Sequence, residues 1–145
     1  MTNNNVIKVN STINIENTKN TKLSIQFKLD GFSFCINDSS TDETIYFYEK
    51  QFEEKQKTPE NLLQEVKEIF KADPHLQKDF SSILVIHENN LSTLVPNKYF
   101  SEDKLLEYLN FNIKTLATDY IAFDEIQGIN AKNVYVQYIH INNYL

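Results

Sequence analysis

Asp30-Gly31, inside "LSIQFKLDGFSFCIND", is the pair whose chemistry must be settled first, because an acidic residue beside a glycine can turn backbone N–H groups toward phosphate. P-loop and dinucleotide fingerprints need several closely spaced glycines to wrap backbone around phosphate, and here Gly31 and Gly128 stand alone and far apart. Those two classes are excluded. The other reading of Asp30-Gly31 is the bend of a β-hairpin, a type I′ turn with positive φ at both residues. That structural reading is preferred.

His87-Glu88-Asn89-Asn90 follows an apolar run, the place where ligands bind in open α/β sheets. A His beside a Glu suits acid–base work or a metal, but successive residues of an extended segment point oppositely. The cluster reads as a polar strand end. Asp119, Asp124 and Glu125 flank or lie within "YIAFDEI", and paired carboxylates could hold Mg²⁺ or exchange protons. With 20 acidic residues in the chain, chance neighbours are expected, so these too read as solvated strand ends. His75 and His140 are too scattered to form a metal pattern with His87. Cys35 is the single cysteine, which excludes an internal disulfide and a thiolate-rich zinc site, and it reads as a packed small hydrophobe. No Ser-His-Asp or Cys-His arrangement follows from spacing.

The charge balance narrows the partners. A net charge of -6 and a pI near 5.0 oppose phosphate-backbone binding by nucleic-acid proteins. All 14 basic residues are lysine, so no guanidinium can clamp a phosphate in bidentate fashion or act as an arginine finger. That weakens phosphoryl transfer by this chain alone. Neither a signal-peptide pattern nor a run of about 18 apolar residues occurs, and a soluble cytoplasmic protein is expected.

The elements that must hold these residues follow from periodicity. Ten Phe and eight Tyr in 145 residues are enough for an aromatic core and one domain. Residues 1–22 are rich in Asn and Thr and read as a mobile leader in which Val6, Val9, Ile13 and Ile15 could form a weak edge strand. Leu23, Ile25, Phe27 and Leu29 alternate with polar residues, the pattern restarts at Phe32, Phe34 and Ile36, and "TIYFYEKQF" supplies a third strand. Thr58-Pro59-Glu60 starts a helix carrying Leu62, Leu63, Val66, Ile69 and Phe70, and Asp73-Pro74 stops it. The run Ile83-Leu84-Val85-Ile86 fits a strand covered on both faces, in parallel position after a helical crossover. "LSTLVP" is a short strand, Ser101 caps a helix of three or four turns reaching Leu116, and "YIAFDEI" and "NVYVQYIHI" are two further strands around a turn at Gly128. The expected class is α/β, opening β-β-β-α-β, with one domain over residues 23–145.

"LSIQFKLDGFSFCI", "SILVIHENNLSTLVPNKYF", "YLNFN", "YIAFDEI" and "NVYVQYIHINNYL" together resemble an uncharacterised bacterial family, domain-of-unknown-function family 3822. The resemblance implies an actin-like ATPase fold of the ribonuclease-H-like type, similar to pilus-assembly and cell-division actin relatives. It covers about the N-terminal half of such a protein, so a second lobe and half of any nucleotide site would be missing. In catalytic relatives the first hairpin carries Asp, a spacer, Gly and a hydroxyl residue at the phosphate; here Gly31 follows Asp30 directly and Phe32 intrudes. The resemblance therefore implies a noncatalytic interaction or scaffold module that takes a protein partner or a second copy, with no cofactor. Its alternative is an actin-like nucleotide-binding protein with weak or no ATPase activity, taking ATP with Mg²⁺, with Asp30, Gly31 and Ser33 near phosphate and Asp124 near the metal. A truncated lobe without independent function is the remaining reading.

Overall fold

The computed structural model describes residues 6–10, 20–53 and 58–145. Positions 1–5 and 11–19 of the expected leader, Ile13 and Ile15 among them, lie outside that set. Contacts divide the chain into two compact units, Met1–Glu88 and Asn89–Leu145.

In the first unit, β2 (Thr21–Lys28), β3 (Gly31–Asp38) and β4 (Thr44–Gln51) form an antiparallel meander. Strand β1 (Val6–Asn10) lies antiparallel to β4 at one margin. Helix α1 (Pro59–Ala72) then carries the chain across to β5 (Ser82–Glu88), which pairs parallel to β2. The order across the five-stranded sheet is β1-β4-β3-β2-β5. From β2 onward this is the β-β-β-α-β order that the periodicity predicts.

Alternation explains the core. Leu23, Ile25 and Phe27 of β2, Phe32, Phe34 and Ile36 of β3, and Tyr46 and Tyr48 of β4 are all buried, as are Leu62, Val66 and Ile69 of α1. Phe32 sits in the middle of an aromatic cluster, with ring centroids 5.2 Å from Phe27, 5.9 Å from Phe34 and 6.2 Å from Phe70. Each fully buried ring contributes about 1.5–3 kcal/mol of hydrophobic stabilisation. Thr58 caps α1 by accepting the Asn61 N–H at 3.2 Å, as its position before Pro59 predicts.

Two expectations for this unit are corrected. The hairpin bends over Leu29-Asp30 rather than Asp30-Gly31, because Lys28 pairs with Gly31 across the ladder. Among the described residues positive φ occurs at Asp42 and Gly128, so no type I′ geometry is present at the bend. Nor is β5 sheathed on both faces. Among the described residues it ends the sheet, and Ile83, Leu84 and Ile86 are 50%, 58% and 46% exposed.

In the second unit, β6 (Ser92–Pro96), β8 (Ala131–Gln137) and β7 (Tyr120–Glu125) form an antiparallel sheet in the order β6-β8-β7. Val95, Val134, Val136 and Leu109 are buried there. Gly128, at φ +87°, makes the turn into β8. The long helix expected after Ser101 is only a 3-10 turn followed by α2 (Leu105–Asn110). Polar side chains divert the backbone: Thr115 Oγ1 bonds Asn110 Oδ1 at 2.8 Å, and the Asp119 carboxylate accepts the Leu116 N–H at 2.7 Å. Ser101 does not cap; its hydroxyl bonds the Asp103 carboxylate, and its N–H donates to the Tyr108 hydroxyl at 2.9 Å. The last strand also stops early. After Gln137 pairs with Tyr120 the ladder has no further partner, and the chain enters α3 (Ile139–Tyr144), which buries Ile141 and leaves His140 exposed on a helix.

Candidate functional site

A cavity of about 260 Å³ opens at the end of the β2–β3 hairpin and brings together Asp30, Gly31 and Ser33. Ser33 stands opposite Gln26 on one side and Glu49 on the other, so these three polar side chains share the sheet face turned away from the buried aromatic cluster. Lys28 and Lys50 also line the cavity. Each is already held by a carboxylate: Lys28 Nζ lies 3.2 Å from Glu88, and Lys50 Nζ lies 3.2 Å from Glu65 of α1.

The backbone at this end is also engaged. Gly31 lies in register between Lys28 and Gln51, and the Asp30 carbonyl accepts the Phe52 N–H at 2.9 Å. A Cβ placed on Gly31 would sit 3.1 Å from the Lys50 carbonyl oxygen, so the glycine accommodates a close approach of β4. Phe32 turns into the core at 2% exposure. Chemically, the site is a small polar recess of balanced charge in which an incoming anion competes with Glu88 and Glu65 for the two ammonium groups.

Glu88 and His87 diverge as neighbours on a strand must. The Glu88 carboxylate takes the Gln26 amide and the Lys28 ammonium, fastening the end of β5 to β2. The His87 ring instead stacks on Phe27, centroids 5.4 Å apart. In the second unit, Asp124 accepts the Tyr135 hydroxyl at 2.9 Å, while Glu125 lies 3.7 Å from Lys132. Asp119 holds the Leu116 turn. Among the described residues no three His, Cys, Asp or Glu side chains gather closely enough to hold a metal ion. Cys35 is half-buried on β3, and burial pushes its thiol pKa up, partly offset by a hydrogen bond with Ser24.

Sequence reasoning missed one cluster. Asp73, 5% exposed, accepts the Tyr46 hydroxyl on one carboxylate oxygen at 2.9 Å and both the backbone N–H and the ring Nδ1 of His75 on the other, at 3.0 and 2.8 Å. Tyr46 and His75 stack with centroids 4.0 Å apart. Burial alone would raise the Asp73 pKa, but the bonds from His75 and Tyr46 outweigh it and hold the carboxyl below its usual range. Burial, then the hydrogen bond to Asp73, pushes the Tyr46 phenol well above its ordinary value. The available signal was Asp73 two residues before His75 at a helix stop, a spacing that lets the carboxylate cap the following turn.

No described helix is long and apolar enough to cross a membrane, which leaves strand-built spans unaddressed. A family model described as "Protein of unknown function (DUF3822)" matches residues 10–145. No curated protein matches. Among solved structures, a protein from Bacteroides thetaiotaomicron VPI-5482, described as having an actin-like ATPase fold and unknown function, superposes with a TM-score of 0.74 at 18% identity. The match covers 92% of this chain and 51% of that one, so this chain spans about half the length of its neighbour. The fold is therefore actin-like.

Proposed function

This chain belongs to the DUF3822 family of proteins of unknown function, and from that premise we propose that it is a noncatalytic interaction module built on an actin-like fold. One observation supports the reading: among the described residues β5 ends its sheet with three large aliphatic side chains about half exposed. Natural edge strands are guarded by lysine, proline, a bulge or a covering element, and Ser82–Glu88 contains neither lysine nor proline. Such an edge recruits an extended segment through main-chain hydrogen bonds, and its side chains select for apolar residues. The lone half-buried cysteine and acidic composition fit a cytoplasmic setting.

A second reading, an actin-like nucleotide-binding protein with little or no ATPase activity, has its own observation in favour: Asp30, Gly31 and Ser33 line one cavity with Lys28 and Lys50. A labelled peptide of sequence SILVIHE, titrated against the wild type and L84K, separates the two. The interaction reading expects saturable binding that L84K abolishes, and no calorimetric heat with ATP and Mg²⁺. Saturable ATP binding with no peptide binding would replace it with the nucleotide reading.

A further inference from the structure

Asp30-Gly31 carries a reaction that needs no ligand and no partner. In an Asp-Gly sequence the glycine amide nitrogen can attack the preceding side-chain carboxyl carbon, because glycine has no Cβ to hinder the approach. The chain holds one such pair, since its other glycine, Gly128, follows Gln127. The new N–Cγ bond closes a succinimide ring, and a carboxyl oxygen leaves as water with the amide proton and the carboxyl proton. Water then reopens the ring. Cleavage of the N–Cγ bond restores Asp30, whereas cleavage at the former backbone carbonyl leaves isoaspartate, with the main chain running through Cβ and Cγ and the old carbonyl released as a carboxylate.

The hairpin holds both polar groups of this peptide unit. Ser39 donates its N–H to the Asn20 carbonyl, so the hydrogen-bonded pairs of the β2–β3 ladder fall at even residues of β2 and end on Lys28 with Gly31. The Gly31 N–H is therefore donated to the Lys28 carbonyl. On the other side the Asp30 carbonyl accepts the Phe52 N–H at 2.9 Å. Ring closure requires the Gly31 nitrogen to give up its proton and the peptide plane to turn about the Asp30 Cα–C bond, which breaks both hydrogen bonds at once. Asp30 itself is exposed at the bend, so the restraint lies in the backbone rather than in the carboxyl group.

From this geometry we propose that Asp30 is a latent self-modification site, at which isoaspartate forms only when the end of the β2–β3 hairpin opens. The bonds of Gly31 to Lys28 and of Asp30 to Phe52 are the latch. Once formed, isoaspartate keeps the latch undone, because the added main-chain methylene moves Gly31 out of register with Lys28. The inference is independent of the interaction reading above.

Ageing the full chain at neutral pH tests this, with isoaspartate at residue 30 read as lost cleavage by an endoproteinase that cuts before aspartate but not before isoaspartate. The folded chain should isomerise there at least about tenfold more slowly than the same chain unfolded in guanidinium chloride, and the Gly31 amide should be protected from hydrogen exchange. Phe52→Pro removes one latch bond and should speed the folded reaction about fivefold, with an unchanged far-ultraviolet circular dichroism spectrum. Asp30→Asn passes through the same succinimide, with ammonia leaving in place of water, and its gain in mass should show the same ratio of folded to unfolded rates. Equal rates in the folded and unfolded chains, or a Gly31 amide that exchanges unprotected, would overturn the proposal. So would a folded Phe52→Pro chain that isomerises no faster than wild type. Should that variant not fold, the rate ratio of Asp30→Asn decides alone.

Discussion

Tyr46 donates its hydroxyl to Asp73 across 2.9 Å, and this bond ties β4 to the end of α1 at the one buried charged group among the described residues. Tyr46→Phe would leave a carboxylate oxygen buried without its donor. The expected cost is about 1–3 kcal/mol, read as a shift in urea midpoint at neutral pH with no change in slope. A cost near zero would mean that water reaches Asp73 and replaces the phenol.

The same cluster sets an acid limb to stability. Asp73 has a folded pKa below its unfolded value of about 3.8, so its contribution is complete above that value and is lost as pH falls through the folded pKa. Wild type should therefore lose stability below about pH 4 more steeply than Asp73→Asn, whose amide does not titrate. At the alkaline end the sign reverses. The Tyr46 phenol has a raised folded pKa, so its contribution holds below the ordinary value of 10.0 and is lost as pH climbs through the folded one. Spectrophotometric titration should show phenolate absorbance appearing late, with Tyr46→Phe removing a late-titrating step. Equal acid slopes for wild type and Asp73→Asn would contradict the geometry.

Gly31→Ala tests what the glycine is for. Its added methyl would meet the Lys50 carbonyl oxygen at 3.1 Å, a backbone atom held in the β3–β4 ladder. Overpacking at this point should cost about 1 kcal/mol, net of the entropy that alanine saves in the unfolded chain. Thermal denaturation followed by circular dichroism would show it, and an unchanged or raised midpoint would indicate that β4 yields freely.

Much of the first unit was readable from residue type. The alternation of Leu23, Ile25 and Phe27 against polar neighbours survives because one face of β2 is core and the other is not. The bend was harder. Hairpin registers closing over Leu29-Asp30 or over Asp30-Gly31 both set odd residues of β2 against even residues of β3, so both bury the same side chains. What distinguishes them is the close approach of the Lys50 carbonyl to Gly31 and the Phe52 bond to Asp30, contacts about 20 residues away in sequence.

The apolar run at β5 was misread for a different reason. Four consecutive aliphatic residues report that both faces of a strand favour apolar surroundings, and they say nothing about whether its second edge is occupied. The site was half legible: Asp30, Gly31 and Ser33 do share one cavity, whereas Lys28, Lys50 and their carboxylate partners enter it only through register and the α1 crossover. The Asp73 cluster was hidden because its third member, Tyr46, lies 27 residues earlier on β4.

The pairing of β5 with β2 joins residues about 60 apart, as the Ser81–Thr21 bond shows, while the hairpin beside it closes over two. Ordering so long an intervening segment is the dearest entropic step in assembling this sheet. During synthesis the margin of β2 consequently stays unpaired until Ser82–Glu88 has left the ribosome.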